Sequence, residues 1–172
     1  VHAVVGTSGI TEENVSELSE MFTESHCIVV PNFSISAILL MRLSEIATPY
    51  FSTVEIIEFH HDNKVDAPSG TALATAEKIA GALKKDISDP TTNFVLEGAR
   101  GAKGQGNIPV HSVRMEGMLA HQEVIFGASG QTLTIRQDSY DRFSFMPGVL
   151  MAISGIAGLT GVTVGLEALM DV

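Results

Sequence analysis

The first fifty residues alternate short apolar runs with helical segments, and this alternation restricts the fold more than any other feature of the chain. Val1 to Thr7 reads as a strand that ends at Gly6-Thr7-Ser8-Gly9. Thr11 then suits a helix N-cap, and Glu12 and Glu13 place carboxylates at the positive end of the helix dipole. Val15, Leu18, Met21 and Phe22 share one face of that helix. Ile28 to Val30 reads as a second buried strand, stopped by Pro31-Asn32. A second helix follows from Ser36 to Thr48, with Ile38, Leu39, Met41, Leu43 and Ile46 as its apolar positions. Strand, helix, strand, helix is the order that builds a parallel α/β sheet.

The texture changes further on. Val54 to His61 predicts a third strand, Asp62 to Gly70 a polar loop and Thr71 to Leu83 an Ala-rich helix. Lys84 to Asn107 is polar and rich in glycine. Pro109 to Met115, Ala120 to Phe126 and Gln131 to Asp138 follow as three strands joined by short Gly-containing turns, which predicts antiparallel pairing. From Phe143 to Leu166 there is no charged residue, and Gly161 and Gly165 have the spacing of helix dimers in lipid. Pro147 and the glycines after it argue instead for a buried helix followed by a buried strand. No internal repeat or low-complexity segment is present.

Hydrophobic residues make up 45% of the 172 residues and charged ones 17%, which favours a packed core over disorder. The formal net charge of −10 makes nucleic acid and anionic membranes poor partners, while leaving room for a local anion site. The single cysteine, Cys27, lies inside an apolar run and fits a reducing cytosol, so a cytoplasmic location is expected. The chain opens on Val1-His2-Ala3-Val4-Val5, as though already within a strand, and reads as truncated at its front.

The richest chemistry lies in Glu58-Phe59-His60-His61-Asp62-Asn63-Lys64-Val65-Asp66-Ala67-Pro68-Ser69-Gly70-Thr71-Ala72. In a regular strand His60 and His61 point to opposite faces, so both serve one pocket only if the strand ends there. Backbone N–H groups at the start of the next helix, with the Ser69 and Thr71 hydroxyls, suit a carboxylate. Lys64 adds a positive charge, and a histidine can deliver a proton near neutral pH. Taken one by one, a His-His pair is usually surface or core filler, a lone Lys is usually solvated, and Ser-Gly-Thr is often only a cap. A metal site from His60, His61 and Asp62 is disfavoured, because adjacent ligands are geometrically awkward and no cysteine lies nearby. Together the residues predict a pocket for a small anionic substrate that is protonated during reaction, with no metal.

The run His60-His61-x-x-Lys64-x-Asp66-Ala67-Pro68-Ser69-Gly70-Thr71-Ala72 resembles the signature of the 4-hydroxy-tetrahydrodipicolinate reductases. Val5-Gly6-Thr7-Ser8-Gly9, Pro31-Asn32-Phe33-Ser34, Gly98-Ala99-Arg100-Gly101, Ile108 to Arg114 and Gly165 to Leu169 are similar to further segments of that family. Ala120-His121-Gln122-Glu123 departs from its commoner Gly-Glu-His form and resembles the actinobacterial variant. The resemblance implies hydride transfer from NADH or NADPH to a cyclic dicarboxylate imine in lysine and diaminopimelate biosynthesis. It implies His60 as general acid, Lys64 as its cationic partner, His61 at the substrate, and Ser69, Gly70 and Thr71 at a substrate carboxylate. Gly6, Thr7, Ser8, Val30, Pro31, Asn32, Phe33, Arg142 and Phe145 are implied on the cofactor side. The implied fold is α/β plus α+β. Residues 1–33 and 142–172 belong to a Rossmann-like dinucleotide-binding domain, and 34–141 form an inserted mixed, largely antiparallel sheet domain for substrate binding and homotetramer formation. A truncated, non-catalytic module that assembles or binds dicarboxylates is the alternative. A metal-dependent hydrolase is the third reading, and metal in the purified protein is what would favour it.

These 172 residues lack the family's Gly-x-x-Gly-x-x-Gly phosphate loop, and the glycines from Gly98 to Gly106 stand in the wrong context to replace it. Without those backbone donors, NADH and NADPH are expected to bind this chain weakly. A fluorescence titration checks this, and submicromolar binding overturns it.

Overall fold

A computed structural model of the chain describes residues 1–170. Its contacts divide into two units, one of residues Val1–Ile38 with Arg142–Val172 and one of Leu39–Asp141. The first unit contains strand β1 (Ala3–Val5), helix α1 (Glu12–Met21), strand β2 (Cys27–Val29) and the start of helix α2 (Ile35–Ala47). The second contains β3 (Thr53–His60), α3 (Gly70–Ala82), β4 (Ala102–Lys103), β5 (Pro109–Arg114), β6 (Ala120–Ala128) and β7 (Gln131–Ser139). The chain then re-enters the first unit with α4 (Met146–Gly155) and β8 (Val162–Val164).

In the first unit β1, β2 and β8 form a parallel sheet with β2 in the middle. The central strand is accordingly the buried one, and Cys27, Ile28 and Val29 are fully enclosed. Thr11 caps α1 through a capping box, its hydroxyl accepting from the Asn14 amide while the Asn14 side chain accepts from the Thr11 amide. Val15, Leu18 and Phe22 are half-buried against the unit, but Met21, expected on the same face, is 75% exposed. Leu43 and Ile46 of α2 are likewise exposed, whereas Ile38 and Met41 are buried.

Helix α4 departs from the expectation of a buried helix. Gly148 and Ala152 line its inner face, while Leu150 and Ile153 are exposed. The reason is steric. A β-carbon built on Gly148 would lie 2.1 Å from the Phe33 carbonyl oxygen, so only a small residue fits there and the bulky side chains turn outward. Strand β8 lies at the edge of its sheet and is half-buried or exposed rather than buried.

The second unit is a five-stranded mixed sheet in the order β4-β5-β3-β6-β7. Strands β6 and β7 pair antiparallel, as their short turn predicts. The expected direct pairing of the first two of the three C-terminal strands does not occur. Strand β3 lies between them, parallel to β5 and antiparallel to β6. The link of residues 115–119 crosses the end of β3, a distance of roughly 10 Å across two strand spacings, which such a segment reaches easily. The connection from β3 through α3 to β5 is the crossover that parallel strands require. Alternate residues of β3, Val54, Ile56 and Glu58, are buried. Opposite them on β6 stand Phe126, Val124 and Gln122, which are buried too. Helix α3 contributes Ala72, Ala76 and Ile79 to the same core, and the Gln122 side-chain amide donates to the Thr75 hydroxyl of α3 at 2.7 Å. Val54, Ile56, Glu58 and His60 therefore share the α3 side of the sheet.

Gly148→Ala is expected to destabilise the chain by about 1–3 kcal/mol, because the new methyl meets a backbone atom that cannot yield cheaply. Gly158→Ala, where a β-carbon meets nothing within 4 Å, serves as the control. Urea denaturation of both variants checks the contrast, and equal midpoints overturn it.

Candidate functional site

Strand β3 ends at His60, and the loop that follows returns the chain to the N-terminus of α3 beside it. The loop turns at once, with the Lys64 amide donating to the His61 carbonyl at 3.1 Å. It includes a cis Ala67–Pro68 peptide and then enters α3. The Ser69 hydroxyl caps the helix by accepting from the Ala72 amide at 3.2 Å. Ser69 is buried, so its hydroxyl is committed to the helix, while Gly70 is exposed and Thr71 half-buried at the opening of the first turn. The helix N-terminus points its amides where an anion is favoured.

Glu58 connects these parts. Its side chain is fully buried, and both carboxylate oxygens are engaged. Arg114, paired with His60 across β5 and β3, grips it with two nitrogens at 2.7 and 2.8 Å. The Ser69 amide donates to the first oxygen at 3.2 Å, and His60 Nδ1 lies 2.5 Å from the second. Arg114 also donates to the Asp66 carbonyl at 2.8 Å, which ties the loop to the sheet. Burial alone pushes the Glu58 carboxyl up, but hydrogen bonds from Arg114, Ser112 and His60 outweigh it and hold the group below the ordinary carboxylate range.

His60 is half-buried. Burial lowers its pKa, the Glu58 carboxylate opposes that fall, and the positive charges of Lys64 and Arg114 add to it. The net direction is down, so the surroundings favour the neutral imidazole, and the Glu58 carboxylate is what limits the fall. Lys64 is not the loose cation the sequence suggested, since its ammonium donates to both oxygens of Asp66 at 2.7 Å. That bond holds the exposed Asp66 carboxyl below its ordinary value. His61 follows the strand and is half-buried. His60, Lys64 and the start of α3 thus sit in one unit around one turn. The sequence gives Glu58 no site role, and Arg114 stands there only within a segment similar to the family's. The available signal was a charged residue in the buried register of β3, after Val54 and Ile56. By contrast His121 has both ring nitrogens occupied, at 2.8 Å from Asp138 and accepting from the Leu119 amide at 3.2 Å, and it acts as a core histidine. Among the described residues no group of three or more His, Cys, Asp or Glu side chains is placed to hold a metal ion. Among them, too, no helix is long and apolar enough to cross a membrane.

In the first unit, Gly6, Thr7 and Ser8 follow the C-terminal end of β1, and Val30, Pro31, Asn32 and Phe33 follow that of β2. Both loops lie at the same end of a parallel sheet, the end where such sheets hold nucleotides. Gly6 packs under the Phe33 ring, where a β-carbon would come within 2.7 Å, so the first loop passes close to the second. Asn32 builds its turn by accepting from the Ser34 amide at 2.9 Å. Val30 is buried and bonded through its amide to the Val5 carbonyl. Arg142 and Phe145 begin and end the short 3-10 helix before α4. Exposed backbone, a small residue and an aromatic face are what a nicotinamide ring requires, and the residues fit one.

The chain is an α/β protein whose second unit carries a histidine, a lysine and a helix N-terminus around one turn. Residues 36–170 match the family model "Dihydrodipicolinate reductase, C-terminus", and the chain belongs to the dihydrodipicolinate reductase family. It is 53% identical over 173 residues to the 4-hydroxy-tetrahydrodipicolinate reductase of Corynebacterium urealyticum, covering 97% of this chain and 69% of that protein. It is 52% identical to the one of Mycolicibacterium smegmatis, covering 99% of this chain and 71% of the relative. Among solved structures, a dipicolinate-bound dihydrodipicolinate reductase from Paenisporosarcina sp. TG-14 is similar, with a TM-score of 0.88 and 46% identity. That match covers 98% of this chain and 64% of the other.

Removing Arg114 leaves the Glu58 carboxylate buried without its counter-charge. Arg114→Ala is expected to cost about 3 kcal/mol, measured by urea denaturation at neutral pH. The loss shrinks as pH falls through the folded-state pKa of Glu58, which lies below the ordinary carboxylate range, because a depressed carboxyl contributes stability only while ionised. A variant as stable as the parent at neutral pH overturns this account.

Proposed function

We propose that the chain carries the substrate site of a 4-hydroxy-tetrahydrodipicolinate reductase, acting in lysine and diaminopimelate biosynthesis in the cytoplasm. The observation that supports it most is the placement of His60, Lys64 and the N-terminus of α3 around one turn at the end of β3. A cyclic dicarboxylate needs two cationic or amide-lined ends and a proton donor between them, and this turn offers all three. Gly70 and Thr71 bind one carboxylate through the first-turn amides. The Lys64 ammonium, released from Asp66, binds the other or steadies the charge that develops on the ring. His61 borders the substrate, and Ser69 fixes the helix end on which its carboxylate rests.

A nicotinamide, from NADH or NADPH, supplies the hydride when bound. Gly6, Thr7, Ser8, Pro31, Asn32 and Phe33, with the Val30 backbone and with Arg142 and Phe145, are the residues proposed to hold it. The 4-hydroxyl leaves as water before or as hydride adds to the ring, and His60 delivers the proton that balances the hydride and takes another from solvent. The protein is further proposed to form homotetramers through the second unit. In support, β7 is the outer strand of the sheet, nine residues long, with Leu133 exposed on it.

Dipicolinate, a planar dicarboxylate, is the probe for the site. Titrated into isotope-labelled chain, it is expected to shift the NMR signals of Lys64, Gly70 and Thr71. No shift at millimolar dipicolinate overturns the substrate assignment. In a turnover assay His60→Gln is expected to lower kcat by roughly 10²–10⁴-fold with little change in KM, the signature of a lost proton donor.

A further inference from the structure

We infer that Glu58, gripped by Arg114, is a positioning residue that holds His60 with a proton on Nδ1 and presents Nε2 as the atom through which the reacting proton passes. This rests on the proposed role of His60 as the acid of the site. The chemistry of the acceptor carries it. Each Glu58 oxygen already takes one hydrogen bond from Arg114, the Ser69 amide donates to Oε1, the Ser112 side chain donates to the carboxylate, and His60 Nδ1 stands against Oε2. A carboxylate so surrounded only accepts, and the guanidinium beside it keeps it ionised. The hydrogen in the Glu58–His60 contact therefore belongs to the imidazole. Among the described residues Nδ1 is the ring nitrogen with a partner, which leaves Nε2 for substrate.

The proton balance follows. The imidazolium gives up its Nε2 proton and becomes the neutral ring that still carries hydrogen on Nδ1, so no rotation is needed before Nε2 takes a proton from water. Glu58 steadies the charged form, opposing burial and the charges of Lys64 from the loop and Arg114 from β5. Ala120, opposite His60 on β6, carries no charge. The same carboxylate receives the Ser69 amide, so the acid and the helix end that binds the carboxylate share one anchor. A purely structural ion pair would close the sheet against α3 just as well, but it would not dictate which ring nitrogen carries hydrogen.

Long-range proton–nitrogen NMR correlations on the full labelled chain separate the two. At a pH above the His60 midpoint, the unaltered chain is expected to show His60 protonated on Nδ1. Protonation on Nε2 overturns the inference, whatever the variants do. In Glu58→Gln the preference for Nδ1 is expected to disappear and the titration midpoint of His60 to move to lower pH. A folded variant with an unmoved midpoint also overturns it. Dipicolinate added to the unaltered chain reports separately on the substrate reading. Absence of binding removes that reading, while the position of the proton on His60 still decides this one.

Discussion

A carboxylate with no exposure to solvent sits at the end of the central part of a sheet, and the geometry of the site depends on how its charge is balanced. Burying Glu58 is costly unless hydrogen bonds replace the lost water. Arg114 from β5, His60 from β3 and the Ser69 amide from the start of α3 supply those bonds. These donors come from three elements, so satisfying one charge also fixes where the strand ends, where the helix begins and how the turn between them lies. Arg114 extends the same control to the loop through the Asp66 carbonyl, two residues from Lys64.

The topology makes that convergence possible. Strand β3 lies between β5 and β6 rather than at an edge, so partners reach its last residues from both sides. Because β5 is the parallel neighbour of β3, Arg114 stands beside His60. The inner face of β3 is apolar at Val54 and Ile56 and turns polar at Glu58 and His60, and core gives way to site along a single strand. The first unit uses different means to a related end. There β1 and β2 are parallel, so their C-terminal loops emerge together, and small residues, Gly6 against Phe33 and Gly148 against the Phe33 carbonyl, bring backbone segments close.

Much of this was legible in advance. The caps at Thr11 and Ser69, the strand ends at Gly6 and Pro31 and the antiparallel β6–β7 hairpin follow from local chemistry, which a sequence displays directly. His60, Lys64, Gly70 and Thr71 were picked out because one turn, close in sequence, holds them together. Glu58 and Arg114 were not, because they meet across strands far apart in sequence and neither looks unusual alone. The exposure of Leu150 and Ile153 was missed for the same kind of reason. An apolar helix reads as buried until one knows that a close backbone contact reserves its inner face for Gly148 and Ala152.

By itself the amino-acid order determined the class of elements, their approximate ends and the turn that bears the histidine pair, the lysine and the helix cap, since these depend on contacts between near neighbours. Only the tertiary structure decided that β3 separates β5 from β6, that Lys64 is paired with Asp66, and that a buried glutamate pairs with His60. Those outcomes rest on strand pairing and charge burial, whose energies depend on residues brought together from distant parts of the chain.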